Sequence, residues 1–321
     1  MTRLLSWARP CLFAGSTALV ACSPAVWRPL ETTAAATELS QVTLSSDNEL
    51  DPAVSPDARS IAFEVAPTLD APPRIAVMSL PRERSGGTGT IEYSSGQVLG
   101  RDPTWMPDGS GVYFLSMTRD GPRLMEMIGF GAGKTPLVAD PGEISFAGEW
   151  PAVSPDGTTI AMSVGHVDTF QTGWRSARHL DQALGFAGPL GTAFRVSGVG
   201  TEPAWSPNGK QLAFVRASGG HAHLFVVNAD GTDPRQITEG ASDDEAPAWS
   251  PDGRRLVFCS TNVAVETRQA NLFTVSPDGA GLVQLTEGDR YACHPAWGRD
   301  GFIYFHANAT GRFHVWRVRP G

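Results

Sequence analysis

The sequence predicts an all-β chain, a six-bladed β-propeller of four-stranded blades closed by N-terminal strand pairing into the last blade. Three observations lead there. A proline-centred turn motif recurs six times, each copy is followed by a short apolar run, and a strand ending in threonine lies nine residues before the motif's first proline at Thr43, Thr238 and Thr286.

The motif copies are Asp51-Pro-Ala-Val-Ser-Pro-Asp-Ala58, Asp102-Pro-Thr-Trp-Met-Pro-Asp-Gly109, Trp150-Pro-Ala-Val-Ser-Pro-Asp-Gly157, Glu202-Pro-Ala-Trp-Ser-Pro-Asn-Gly209, Ala246-Pro-Ala-Trp-Ser-Pro-Asp-Gly253 and His294-Pro-Ala-Trp-Gly-Arg-Asp-Gly301. Their last residues lie 51, 48, 52, 44 and 48 apart, a period that means a propeller or a solenoid. Pro sets φ for a turn, Asp bonds to nearby amides and Gly accepts positive φ, so each copy joins two strands of a hairpin. The runs that follow, such as Ile61–Phe63, Val112–Phe114, Leu212–Phe214 and Ile303–Phe305, lack polar alternation, so both faces need cover. Stacked blades supply it.

Third strands and second turns are clearest at Leu224–Gly231 and Leu272–Gly279, and fourth strands at Arg235–Thr238 and Val283–Thr286. The last unit reaches its third strand at Phe313–Val318 and then the chain stops. The segment Leu39–Leu44 fits the vacant fourth place, which removes an open sheet edge. The domain reading is therefore a signal segment at 1–21, a tether at 22–38 and the propeller at 39–321.

Composition narrows the function classes. The 321 residues carry net charge −8, with 41% hydrophobic and 18% charged residues, 35 Gly and 25 Pro, which suits a turn-rich globular protein and not a disordered chain or a helical bundle. The acidic balance argues against a nucleic-acid partner. Residues 1–21 hold Arg3 and Arg9, no acid, and an apolar stretch from Cys11 to Ala21 too short to span a bilayer, which reads as an export signal. Leu19-Val20-Ala21-Cys22 resembles the bacterial lipobox, and that resemblance implies lipidation of Cys22, a membrane attachment through the lipid and, with Ser23 next, the periplasmic side of the outer membrane.

The six turns also resemble the TolB-type propeller, a WD40-like repeat with Pro-Asp-Gly turns found in exported bacterial proteins, over residues 39–321. The resemblance implies binding of a partner peptide at one channel mouth; together with the lipobox and the absence of a catalytic motif, the expected function is a lipid-anchored, non-enzymatic scaffold of the cell envelope for an envelope protein or peptide, monomeric and without a cofactor apart from the cation weighed below.

Candidate sites follow from the repeat. Asp51, Asp102, Glu202 and His294, with Glu149 and Glu245 beside Trp150 and Ala246, sit where the innermost strands begin and are expected to ring one mouth. Such a ring could hold a divalent cation or a partner's Lys or Arg; alternatively, each carboxylate caps amides at its own strand entrance. Trp105, Trp205, Trp249 and Trp297 share one repeat position and read as packing between blades, with an aromatic cage as the other option. The least repeat-like stretch, 165–192, offers His166, Asp168, Trp174, Arg175, Arg178 and His179 as a binding loop, or is a degenerate strand with a surface excursion. Cys259 and Cys293 fall toward one rim of neighbouring blades, as a disulfide or as two buried thiols.

Gly129–Thr135 fails the phosphate-loop spacing, and no nucleophile elbow, His-Glu-x-x-His or close Cys/His cluster occurs. A carbohydrate- or small-ligand-binding propeller, even a lyase, that uses the acid ring with His294 is the alternative function. A prolyl-peptidase-like propeller would need a hydrolase domain for which the length leaves no room.

Overall fold

A computed structural model describes residues 29–80, 91–93, 99–118, 121–129, 137–139, 148–164, 183–187, 193–262 and 269–321. Side chains at 91–93, 117–118, 121–122, 137–139, 148, 164, 183–187, 193–199 and 262 are left aside. The fold is an all-β propeller, with no helix among the described residues. Among the described residues the strands form six four-stranded antiparallel sheets and one two-stranded sheet.

Sheet 1 comprises Asn48–Val54, Ser60–Ala66, Arg74–Ser79 and Ile91–Tyr93, and sheet 2 comprises Arg101–Trp105, Gly111–Thr118, Gly121–Ile128 and Leu137–Ala139. Sheet 3 holds Gly148–Val153, Ile160–Val164, Ala183–Ala187 and Ala193–Val199, and sheet 4 holds Thr201–Trp205, Gln211–Ser218, His221–Asn228 and Arg235–Gln236. Sheet 5 is Asp243–Trp249, Leu256–Asn262, Gln269–Val275 and Val283–Gln284. In sheet 6, Ala292–Trp297, Ile303–Ala307 and His314–Pro320 are joined by Ala36–Gln41 from the other end of the chain. The first strand of each sheet packs against the first strand of the next, and that of sheet 6 against that of sheet 1.

The second strands carry the core. Ile61, Ala62 and Phe63, Leu256, Val257 and Phe258, and Ile303, Tyr304 and Phe305 are all buried, so neither face of these strands meets water and the apolar runs find cover on both sides. Three of the repeated tryptophans tie one sheet to the one before. Trp105 Nε1 donates to Ala53 O at 2.8 Å, Trp205 Nε1 to Ala152 O at 3.1 Å and Trp249 Nε1 to Ala204 O at 3.0 Å. They therefore pack and bond between sheets.

The closing strand is built by the same residues as its counterparts. Thr43 Oγ1 accepts Val315 N at 2.9 Å, as Thr238 Oγ1 accepts Leu224 N at 3.0 Å and Thr286 Oγ1 accepts Leu272 N at 2.9 Å. Gln41, Gln236 and Gln284 each donate Nε2 to the carbonyl of that threonine, at 2.7, 2.8 and 2.7 Å. The nine-residue spacing reflects this shared device.

The paired body starts earlier than residue 39. Glu31–Thr32 pairs with Thr286–Glu287 beside sheet 5, Thr33 N donates to Leu285 O at 3.0 Å, and Ala36–Thr37 already pair with Pro320 and Arg319. A segment expected to be a tether thus straps sheets 5 and 6, because Leu30 and Ala36 reach buried sites and Thr33 Oγ1 bonds to Gln284 O at 2.6 Å.

The turns vary around one plan. Ser55, Ser154 and Ser250 donate Oγ to Asp57, Asp156 and Asp252 at 2.7, 2.6 and 2.6 Å, which together with amides at the turn holds these carboxyls below the usual carboxylate range. Where sheet 6 has Gly298 in place of this serine, Tyr304 donates its hydroxyl to Asp300 Oδ2 at 2.7 Å instead. A Cβ at Gly298 would lie 2.4 Å from Asp300 Oδ1. Burial and this contact raise the Tyr304 pKa.

Candidate functional site: the channel and its ring of strand entrances

The first strands line a cavity of about 440 Å3 that runs from Asp51, Asp102, Trp150, Glu202, Ala246 and His294 at one end to the turn prolines and Arg299 at the other. All six residues at the first end have positive φ, between 49° and 54°, although none is glycine. A left-handed non-glycine residue costs about 1–2 kcal/mol, so a sixfold occurrence needs a compensating contact. The register supplies the reason: each first strand has a β-bulge there, at Leu50/Ala53, Arg101/Thr104, Glu149/Ala152, Thr201/Ala204, Glu245/Ala248 and Cys293/Ala296. The bulge takes the amide out of its own ladder, and at Asp51, Asp102, Trp150, Glu202 and Ala246 it bonds instead to the preceding sheet.

Two kinds of side chain receive these amides. Where the residue after the apolar run of the preceding second strand is polar, that residue accepts: Asp102 N donates to Glu64 Oε1 at 2.8 Å, Glu202 N to Ser163 Oγ at 3.0 Å and Asp51 N to His306 Nδ1 at 3.1 Å. Where that residue is Leu115 or Val215, the preceding ring carboxylate takes over. Trp150 N donates to Asp102 Oδ2 at 3.5 Å and Ala246 N to Glu202 Oε2 at 2.5 Å. The capping expected at each carboxylate's own strand entrance is therefore found one sheet further on for Asp102 and Glu202.

At the fifth such position stands Cys259, joined to Cys293 in a disulfide with Cα atoms 5.0 Å apart. Both cysteines are fully buried, so sheets 5 and 6 are linked covalently beside the ring.

The expected ring is only partly assembled. Asp51, Asp102, Glu202 and His294 line the cavity, whereas its lining does not include Glu149 or Glu245. Those two precede the left-handed residue, and successive strand side chains point to opposite faces. Cys22 and the loop residues His166, Asp168, Trp174, Arg175, Arg178 and His179 lie outside the described residues.

Asp51 sits between two histidines. His294 Nδ1 lies 3.0 Å from its Oδ1, and the His294 and His306 rings stack with centroids 5.1 Å apart. His306 Nδ1 is also 3.4 Å from that oxygen, but it already accepts the Asp51 amide and so carries no proton to give. Glu64, which the repeat reading passed over, completes the group. It is 1% exposed, and oxygens of Asp51, Glu64 and Asp102 all lie within 4.8 Å of one another. Burial first, then the charges of Asp51 and Asp102, push the Glu64 carboxyl well above its usual range, against the opposing pull of Arg101. The signal that could have found it is the aligned repeat itself: Glu64, Leu115, Ser163, Val215, Cys259 and His306 occupy one position.

A second pairing, away from the ring, was also missed. His314 Nδ1 lies 2.8 Å from Glu49 Oε2 between sheets 6 and 1, and His223 Nδ1 lies 3.4 Å from Asp244 Oδ2 between sheets 4 and 5. Glu49 and Asp244 each stand two residues before a ring position, so these buried pairs are the same contact at two seams.

Residues 191–320 match the family model described as TolB beta propeller domain. That segment is similar to the TolB-type propeller repeat. A TolB homolog from Chlorobium luteolum is 30% identical over 130 residues, a match that spans 40% of this chain and 27% of that relative. TolB from Acinetobacter baumannii superposes with a TM-score of 0.62 at 22% identity, over 80% of this chain and 59% of that one. The putative TolB from Agrobacterium tumefaciens also gives 0.62, at 17% identity, over 92% and 99% of the two chains. The architecture is shared with an enzyme as well: oligogalacturonate lyase from Vibrio parahaemolyticus gives 0.53 at 11% identity, over 92% and 97%. At these identities the solved structures speak for the fold.

Proposed function

We propose that this chain is a lipid-anchored propeller of the bacterial cell envelope that binds a protein or peptide partner at the ring end of its channel and does no catalysis. In this reading the six sheets are six blades of one ring closed by Ala36–Gln41, Cys22 carries the lipid on the periplasmic side of the outer membrane, and the protein acts as a monomer. The observation that carries it is the mouth itself. Six rigidly held strand entrances present Asp51, Asp102 and Glu202 around a cavity of about 440 Å3 with apolar Pro-Ala walls, a surface suited to an extended segment bearing a cationic side chain. TolB-type kinship supports a protein-binding scaffold at the level of the family.

Co-purification from native envelopes, with the full chain as bait, tests this reading. Recovery of one envelope protein that is lost when Glu202 is changed to Lys supports it; a fold-intact bait that recovers none overturns it. The carbohydrate or small-ligand reading draws on the cavity's size, which falls in the range of small-molecule sites, and on His306 joining His294 beside Asp51. Turnover or saturable binding of an envelope polysaccharide by the purified chain would favour it instead.

A further inference from the structure

We propose that the ring-end rim of the propeller, around Leu44, Leu69 and Leu99, rests on the lipid surface that holds the chain's own anchor, so that the ring end of the channel opens toward the membrane. The inference rests on the reading that Cys22 carries a lipid, and it adds which way the anchored body faces. A partner that reaches the mouth is then one presented from that membrane.

The strand directions fix where the anchor arrives. Each first strand enters at the ring end, so each second strand returns to that end, and the connections from second to third strand and from fourth strand to the next sheet lie there. In sheet 5 the chain runs on from Val283–Gln284 and reaches the ring end at Thr286–Glu287. Glu31 pairs with Glu287 and Thr32 with Thr286 in antiparallel register, so the N-terminal segment enters beside sheet 5 from the ring end and runs away from it. Leu30 is buried, and the Pro29 carbonyl lies so close to Gly288 that a Cβ there would collide with it. Cys22 stands seven residues before Pro29, a separation that even full extension limits to about 25 Å. A strand of 7 residues such as His314–Pro320 is itself about 23 Å long. To set the turn end of the sheets on the bilayer, the tether would have to lie fully stretched along a flank, whereas the ring end needs no such stretch.

Exposed apolar side chains lie on the same rim. Among the described residues five large ones are exposed, and three of them are here. Leu44, 72% exposed, is in the connection from the closing strand to sheet 1; Leu69, 40% exposed, is in the connection between the second and third strands of sheet 1; and Leu99, 39% exposed, leads into sheet 2. Two contacts hold these connections to their neighbours: Gly100 N donates to Pro73 O at 2.9 Å, and Arg312 Nη1 donates to Pro67 O at 3.2 Å. The other two, Leu282 and Val283, follow the turn at the opposite end of sheet 5. Three leucines are too few to hold the domain on a membrane unaided, but a short tether raises the local concentration of lipid enough for them to set its orientation. The exposed charges of the rim are of both signs, Asp70, Glu239 and Arg312 among them, so the contact is apolar and insensitive to salt.

The experiment couples the chain from Cys22 onward, which contains every described residue, through the Cys22 thiol to a maleimide lipid in vesicles of phosphatidylethanolamine and phosphatidylglycerol. Cys259 and Cys293 are joined, so Cys22 is the free thiol of that chain. Hydroxyl-radical footprinting then reads the solvent access of each side chain, against the same chain mixed with vesicles that lack the maleimide lipid. Oxidation of Leu44, Leu69 and Leu99 is expected to fall about threefold or more on coupling, while Leu282 and Val283 keep their rates. Leu69→Glu, a change at an exposed residue, should return Leu44 and Leu99 toward their uncoupled rates. Unchanged rates at the three leucines, an equal fall at Leu282 and Val283, or full protection of Leu44 and Leu99 in Leu69→Glu overturns the orientation. Because the lipid is supplied chemically, these results bear on the rim alone; the anchor is tested apart from it, by mass spectrometry of Cys22 from native membranes.

Discussion

Two sectors of the ring carry the same backbone and use it differently. Between sheets 1 and 2 the Asp102 amide is received by buried Glu64, and the ring acids Asp51 and Asp102 are crowded beside it. Between sheets 4 and 5 the corresponding second-strand residue is Val215, and Glu202 receives the Ala246 amide at 2.5 Å. A ring acid becomes a cap for the next sheet where the second-strand residue beside it is apolar, as Glu202 does beside Val215 and Asp102 beside Leu115, and Asp102 does so while also standing beside Glu64.

The seam between sheets 5 and 6 departs furthest from both sectors, because a disulfide stands at the position that Glu64 and Val215 hold in the other two. Changing Cys259 and Cys293 together to serine opens a loop of sequence separation 34 and should lower stability by about 3–4 kcal/mol, read as a fall in melting temperature. The Val215 sector comes next. Glu202→Ala strands the Ala246 amide and should cost about 1–3 kcal/mol, whereas Glu149→Ala, one residue before a ring position and outside the cavity lining, should stay within about 0.5 kcal/mol. Equal losses in denaturant titrations of the two would erase the distinction drawn here. Thr43→Val removes the acceptor for Val315 N in sheet 6, and Thr238→Val its counterpart in sheet 4; each should cost about 1–2 kcal/mol. A much smaller effect at Thr43 would mean that the N-terminal strand closes the ring only loosely.

The turns give the smallest effects. Asp57, Asp108, Asp156 and Asp252 are held below the ordinary carboxylate range, chiefly by hydroxyls of Ser55, Ser110, Ser154 and Ser250, with nearby amides and, for Asp57 and Asp252, neighbouring arginines helping. A lowered native pKa means that the unfolded chain binds more protons, so this contribution is present above about pH 4 and lost as pH falls through the lowered native values. An acid titration of stability should become shallower when Asp108 and Asp156 are changed to Asn. Ala58 occupies the turn position with φ 54° where the other five motifs have Gly, and Ala58→Gly should raise stability by up to about 1 kcal/mol.

The sequence made the architecture readable because the turn chemistry repeats: six Pro-containing motifs, six apolar second strands and three Gln-x-Thr strands all have counterparts in the structure. The strand at Glu31–Thr32 was not readable, since Thr- and Ala-rich composition shows no period and its pairing partner, Thr286–Glu287, is over 250 residues away. Four of the six residues expected at the mouth, Asp51, Asp102, Glu202 and His294, line the cavity. What remained hidden was which neighbour each acid would serve. That depends on the left-handed bulge, which turns the ring amide toward the preceding blade, and on Glu64 and His306, which follow apolar runs and looked like further core.

The assignment of each ring amide to its own side-chain acceptor is tested most directly by amide hydrogen exchange at Ala246 and Asp102 in wild type and in Glu202→Ala. Protection of both amides in wild type, with loss confined to Ala246 in the variant, is the expected result. An Ala246 amide that exchanges at the same rate with and without the Glu202 carboxylate would contradict it.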